Sequence, residues 1–328
     1  MRAGESVSRQ CLVSAQCLPF ADAAESVRRR FLHCSVVYDE LRFTIHEERY
    51  MTFAERLLQI DRRIIFMVIG VCTLLPLLFP VGLPIKISQE VRGVYDHIEG
   101  LPEGSVFLLS LDFDPASKPE LHPQAIAILR HAFRKNLRVI AMTLWVTGTG
   151  LADQIITQIA KEAGKTNQKD YVFLGWSPGG SAVIVNMGQD LYTAFPADYG
   201  GRPTKGLPVL AGVNNLRDVN YAVSLAAGNP GVEAWYVFGK DKYKFELGGG
   251  CTGVIAPGLY PLLRSGQING LIGGLRGAAE YEGLVGKKGR AIAGMDAQSA
   301  THLAIIVLVI ICNIFYLRLR RSGVPKSR

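Results

Sequence analysis

The 328 residues suffice for one large or two small domains with a buried core, and the composition is apolar for a soluble protein. The net charge of +8 is not spread over a binding face: residues 1–50 carry seven basic and seven acidic side chains, residues 84–300 twenty-one against nineteen, and RLRRSGVPKSR after Leu317 five against none. This distribution argues against a nucleic-acid partner, because the excess gathers beside an apolar segment where it fixes topology and meets lipid.

Residues 1–50 lack periodicity and hold three of the six cysteines, at 11, 17 and 34. Met51 opens MTFAERLLQIDRR, an amphipathic lead-in over 51–63 that suits a true start at Met51. Residues 64–85, IIFMVIGVCTLLPLLFPVGLPI, carry no charge and are long enough to cross a bilayer of about 30 Å. They are too far from the N-terminus for a cleaved leader and read as an anchor. Pro76, Pro80 and Pro84 are expected to kink or end the outer half of this helix. Residues 300–317, ATHLAIIVLVIICNIFYL, form a second span, followed by a basic tail, 318–328. Arginines flank both spans on the side away from residues 86–299, so the positive-inside rule places both termini in the cytoplasm and the large domain outside, in a bacterium the periplasm. Lys287, Lys288 and Arg290 count against that orientation.

Between the spans the pattern alternates. VFLLSL (106–111), RVIAMTLW (138–145) and YVFLGW (171–176) are apolar runs of strand length, separated by the helical patterns HPQAIAILRHAFRK, with Pro123 in its first turn, and GLADQIITQIAKEAGK. Alternation of this kind predicts right-handed βαβ units and a mainly parallel sheet with helices on both faces, a Rossmann-like three-layer α/β fold. Further on, NNLRDVNYAVSLAAG reads as a helix capped by Asn215 and ended at Gly228, and AWYVFG with YKFEL reads as a late strand pair. From Glu246 to Gly294 there are fourteen glycines.

The strand ends supply the candidate site. Asp112 and Asp114 close the first strand two residues apart, a spacing that turns both carboxylates to one side and suits a shared divalent cation. The apolar strand ending in D-x-D resembles the first motif of haloacid-dehalogenase-like phosphatases over about ten residues. That resemblance implies Asp112 as nucleophile, Asp114 as general acid and Thr143 in the second motif, whereas Pro115 and Ala116 depart from the family pattern and no late acidic pair completes a magnesium site. The plain alternative is that Asp114 caps a turn and Asp112 is solvated.

After the second strand, Thr147, Gly148 and Thr149 offer a glycine-bearing turn with Thr149 as N-cap, and after the third, Ser177, Gly179 and Gly180 repeat the arrangement. SPGG is similar to an oxyanion-hole loop of ClpP-like and S49-type serine peptidases, over four residues only. ELGGGCTGVIAPGLYPLL is read mainly as a tight turn around Cys251, a thiol with no basic residue within six positions, and alternatively as backbone contacts to a ligand through Gly249, Gly250 and Thr252, or as the loop of a catalytic nucleophile, Cys251. His131 is expected on the polar side of its helix, and His122 within approach of the Asp112 rim.

No charged residue lies inside either span, which disfavours a transporter. The remaining classes are a membrane-held module that binds a small polar ligand or assembles with copies of itself or other membrane proteins, and a metal-dependent hydrolase using Asp112 and Asp114. With no complete catalytic set in the sequence, the binding module is the expected one.

Overall fold

The computed structural model describes residues 61–82, 84–287 and 289–321, with side chains up to residue 317. Residues 1–50, nearly all of the 51–63 lead-in and residues 322–328 lie outside the described residues. Arg62–Val309 form a compact unit that holds the whole α/β domain, and the end of the last helix from Ile310 belongs to a second unit.

The elements run α1 (Arg62–Leu78), α2 (Gln89–Gly100), β1 (Val106–Asp112), α3 (Lys118–Arg134), β2 (Arg138–Thr143), α4 (Thr149–Glu162), β3 (Tyr171–Trp176), α5 (Ser181–Gln189), α6 (Leu191–Ala194) and β4 (Tyr221–Ala226). A continuous helical stretch follows, made of α7 (Val232–Ala234), a π-helical turn (Trp235–Lys240) and α8 (Asp241–Tyr243). Then come β5 (Glu246–Cys251), α9 (Ala256–Arg264), β6 (Leu271–Gly273), α10 (Gly274–Val285) and α11 (Arg290–Arg321). The six strands are all parallel in the order β3-β2-β1-β4-β5-β6.

Strand β1 is buried along its whole length, as its unbroken apolar run requires. Its alternating side chains feed two cores. Phe107, Leu109 and Leu111 pack with α2, α3, α4 and α10, while Val106 and Leu108 pack with α5, the π-helical turn and α9. On the first face His131 is fully buried, a correction to its expected exposure. Its Nδ1 meets the Tyr281 hydroxyl and its Nε2 the Glu99 carboxylate, each at 2.8 Å, and Tyr95 stacks on the ring. Burial pushes the His131 pKa down to about 4 despite the opposing pull of Glu99.

Three expected elements are corrected. The segment read as a helix from Asn215 is a single 3-10 turn, Leu216–Asp218, with Asn215 as its cap in a capping box, and YAVSLA beyond it is the central strand β4. Both faces of β4 are covered, so the run carries no alternation to separate strand from helix. AWYVFG is helical, with Trp235 fully buried, and no hairpin joins it to its neighbour. ELGGGC is strand β5 and not a turn: an added Cβ at Gly248 would run into the Tyr221 hydroxyl, and at Gly250 into Leu225 and Gln124. Those glycines are a packing requirement of a strand pressed between large side chains. Helix α3 begins at Lys118, with Pro119 in its first turn and Pro123 one turn later.

Helix α11 is long and apolar enough to cross a membrane over Arg290–Leu317, and Leu303, Ile306, Ile310, Ile314 and Leu317 are exposed. Helix α1 ends at Leu78 after 17 residues, with Pro76 inside it and Pro80 just beyond, and falls short of that length. The Thr73 and Thr301 hydroxyls meet at 2.8 Å, and the Gly82 amide donates to Asp296 at 2.7 Å. Going from one contact to the other, the two segments advance in opposite chain directions, so α1 and α11 pair antiparallel.

Two carboxylates fasten the starts of α2 and α11 to the domain. Glu280 accepts from the Ser88 amide and hydroxyl at the start of α2. Glu282 accepts from the amides of Gly289, Ala291 and Ile292 at the start of α11. The orphan donors of a helix N-terminus are thus satisfied from inside the fold.

Candidate functional site

In a parallel sheet every strand ends on the same edge, so the loops after β1, β2 and β3 share one rim, and the loop after β5 lies on it too. The strand order reverses between β1 and β4, and it is there that open α/β sheets form a crevice outside the carboxyl ends. Misreading β4 as a helix hides this point from the sequence.

Asp112, the last residue of β1, is fully buried. Its Oδ1 accepts the Leu144 amide at 2.6 Å, and its Oδ2 accepts the Ser110 hydroxyl at 2.6 Å and that of Ser224 at 3.4 Å. Ser110 and Ser224 are register partners on β1 and β4, which is why both reach one carboxyl. Burial raises the Asp112 pKa to about 7 against the opposing pull of these hydrogen bonds and of the nearby Trp235 indole. The indole Nε1 lies close enough to act on the carboxyl yet completes no hydrogen bond.

Asp114 is engaged elsewhere. It caps the 3-10 turn Pro115–Ser117, accepting the Ser117 amide at 3.1 Å and the hydroxyl at 3.2 Å. The two carboxylates therefore serve different partners, and among the described residues no three His, Cys, Asp or Glu side chains come together as a metal site. Thr143 Oγ1 closes on Trp145 N and O within its own turn.

Gly148 is the N-cap of α4, a place expected for Thr149, whose hydroxyl instead donates to Val146 O. A Cβ at Gly148 would strike the Phe113 carbonyl, so glycine lets the loops after β1 and β2 lie together. Thr147 is exposed beside it. Ser177, Gly179 and Gly180 lie at the far edge of the sheet, separated from β1 by β2, and both glycines have positive φ.

Gly249 and Gly250 spend their backbone in the β5 ladder, and Thr252 O accepts the Ile255 and Ala256 amides at the entry to α9. Cys251 is buried, with its thiol pushed up to about 12 by burial and then by Glu120, so it is no thiolate nucleophile at neutral pH. His122 lines a different hollow, with Lys118 and Arg290, away from Asp112.

What the structure adds is a cleft of about 360 Å³ at the ends of β4 and β5, lined by Ala226, Gly228, Gly231, Val254, Ile255 and Gly258 among others. Ala226 is the register partner of Asp112, and beside the cleft the Trp145 ring lies near Gly228, with its Nε1 donating to Pro230 O at 3.0 Å. The cleft is mostly apolar, with the side chains of Asn229 and Glu233 supplying polar groups in its wall, the makeup of a small-molecule site. Its one sequence signal is the GNPG run after β4, which reads as a helix end once β4 is taken for a helix. Comparison of this chain with protein-family models, with curated proteins and with solved structures finds no match.

Proposed function

We propose that this protein is a membrane-held binding module whose α/β domain takes a small, largely apolar ligand with a few polar atoms in the cleft between β4, α7 and α9. The observation that carries the reading is a mostly apolar cleft at the carboxyl ends of β4 and β5, one strand from the point where the strand order reverses between β1 and β4. The order is that of Rossmann-like doubly wound sheets, and the analogy extends to where such sheets bind and not to what they bind. A phosphatase-like reaction is not favoured, since Asp112 is enclosed and Asp114 is used as a cap.

Anchoring at the bilayer is supported by the exposed apolar surface of α11, which nothing among the described residues covers. We read α1 as its partner span, shortened by Pro76 and paired through Thr73 and Thr301. Two spans leave both termini on one side, cytoplasmic by their arginines, and the domain on the other, periplasmic in a bacterial cell. The same exposed helices offer a surface for copies of the chain or other membrane proteins.

Gly258 tests the cleft. It lines the cleft and its added Cβ would meet nothing within 4 Å, so Gly258→Leu fills the space without disturbing the fold. In a thermal-shift screen of the full chain in detergent against nucleosides, aromatic amides and amines and other small, largely apolar compounds without phosphate, a ligand at about 100 times its Kd is expected to stabilise the parent by about 2.7 kcal/mol. The variant is expected to keep the parent melting temperature and lose that shift. A shift retained in Gly258→Leu would place the ligand elsewhere.

A further inference from the structure

A second hollow, of about 350 Å³, lies between α3, α4 and the start of α11, and its character is opposite to that of the cleft. Its walls carry the side chains of Lys118, Arg130, Lys287 and Arg290. Arg130 and Lys287 share one carboxylate, Glu162, at 2.8 and 3.6 Å. The side chains of Lys118 and Arg290 have no ion-pair or hydrogen-bond partner among the described residues. The one carboxylate in the wall, Glu282, is turned inward onto three backbone amides. Four cations against Glu162 and Glu282 leave an excess of two positive charges. Between them stand neutral polar groups, His122, Gln154 and Gln158, the last already donating to Glu162 at 3.2 Å. Burial first, then Lys118 and Arg290, push the His122 pKa down to about 4, so the ring is uncharged at neutral pH and presents one N–H.

We propose that this hollow binds a phosphate-bearing anion, with Lys118 and Arg290 as its main charge partners and Arg130 and Lys287 at its border. A phosphate monoester carries about −2 at neutral pH, which matches the excess, and arginine forks suit its oxygens. The volume admits a small phosphorylated metabolite. The phosphate could come from a lipid headgroup or from solution, and the two arms of the test below distinguish these sources. Binding here also gives Lys287 and Arg290 a purpose other than topology.

The test uses the full chain in detergent with inorganic phosphate and inorganic pyrophosphate, and in phosphatidylcholine nanodiscs with and without phosphatidylglycerol. Pyrophosphate is expected to raise the melting temperature in detergent. Lys118→Ala combined with Arg290→Ala is expected to weaken its apparent Kd at least about tenfold while leaving the ligand-free melting temperature in place, since both side chains are exposed and unpartnered. Should the double variant melt early, the single Lys118→Gln variant serves, with weakening in the same direction. Stabilisation by phosphatidylglycerol without a response to pyrophosphate, lost in the variants, would assign the phosphate to a lipid headgroup, and the reverse would assign it to a soluble compound. No response in either arm, or a pyrophosphate response unchanged in the variants, would overturn the site. Gly258→Leu leaves this response intact, so the two sites fail separately.

Discussion

Asp112→Asn is expected to gain on the parent protein by about 4 kcal/mol between pH 4 and pH 7, with the difference flat above pH 7. The folded-state pKa of Asp112 is raised from 3.8 to about 7, chiefly by burial. In the unfolded chain the carboxyl ionises near 3.8, whereas in the fold it keeps its proton until about 7. The contribution of the group is therefore fully present below pH 4 and is lost as pH rises through the folded pKa. Three pH units at about 1.4 kcal/mol each give the stated size. Asparagine removes the titration yet keeps an oxygen for the Leu144 amide, and Ser110 and Ser224 turn to accept from its amide. His122 and His131 titrate in the opposite sense, since their pKa values are lowered. Because both proteins carry them, the difference between the two isolates Asp112. Urea unfolding of the pair across this range checks it, and a difference independent of pH would mean that Asp112 is solvated.

Glu282→Ala is expected to cost about 3 kcal/mol and to act locally. Three amides at the head of α11 lose their acceptor, and those of Ala291 and Ile292 belong to buried residues. An unsatisfied buried donor costs about 1–3 kcal/mol, with solvent from the adjoining hollow relieving part of the sum. Glu282→Gln, which keeps one oxygen, is expected to lose less than half as much. Hydrogen exchange should show protection lost over residues 289–297 while β1, β2 and β4 stay protected. Uniform loss across the sheet would show that the junction is not a separate unit.

The first half of the domain was legible because β1, α3, β2, α4 and β3 each obey a local rule: apolar runs of strand length, helical periodicity and glycine-bearing turns. The second half was not, because its determinants are long-range. YAVSLA is a strand because β1 and β5 pair with it on either side. Gly248 and Gly250 read as a turn until Tyr221, Leu225 and Gln124 are seen to fill the space their side chains would occupy. The Asp112 rim was found from its position at a strand end. The cleft is missed with β4, since the end of that strand and the segment after it form one of its walls. His131 looked solvated because its partners, Glu99 and Tyr281, come from two other helices.

The central claim is that this α/β domain is held at a membrane by its own apolar helices. Alkaline carbonate washing of membranes from cells that express the full chain tests it most directly, since the wash strips peripheral proteins and leaves spanning helices in place. The protein is expected to stay in the membrane pellet and to leave it only with detergent. Recovery of the intact chain in the carbonate supernatant would contradict the account and turn the exposed face of α11 into a protein-docking surface.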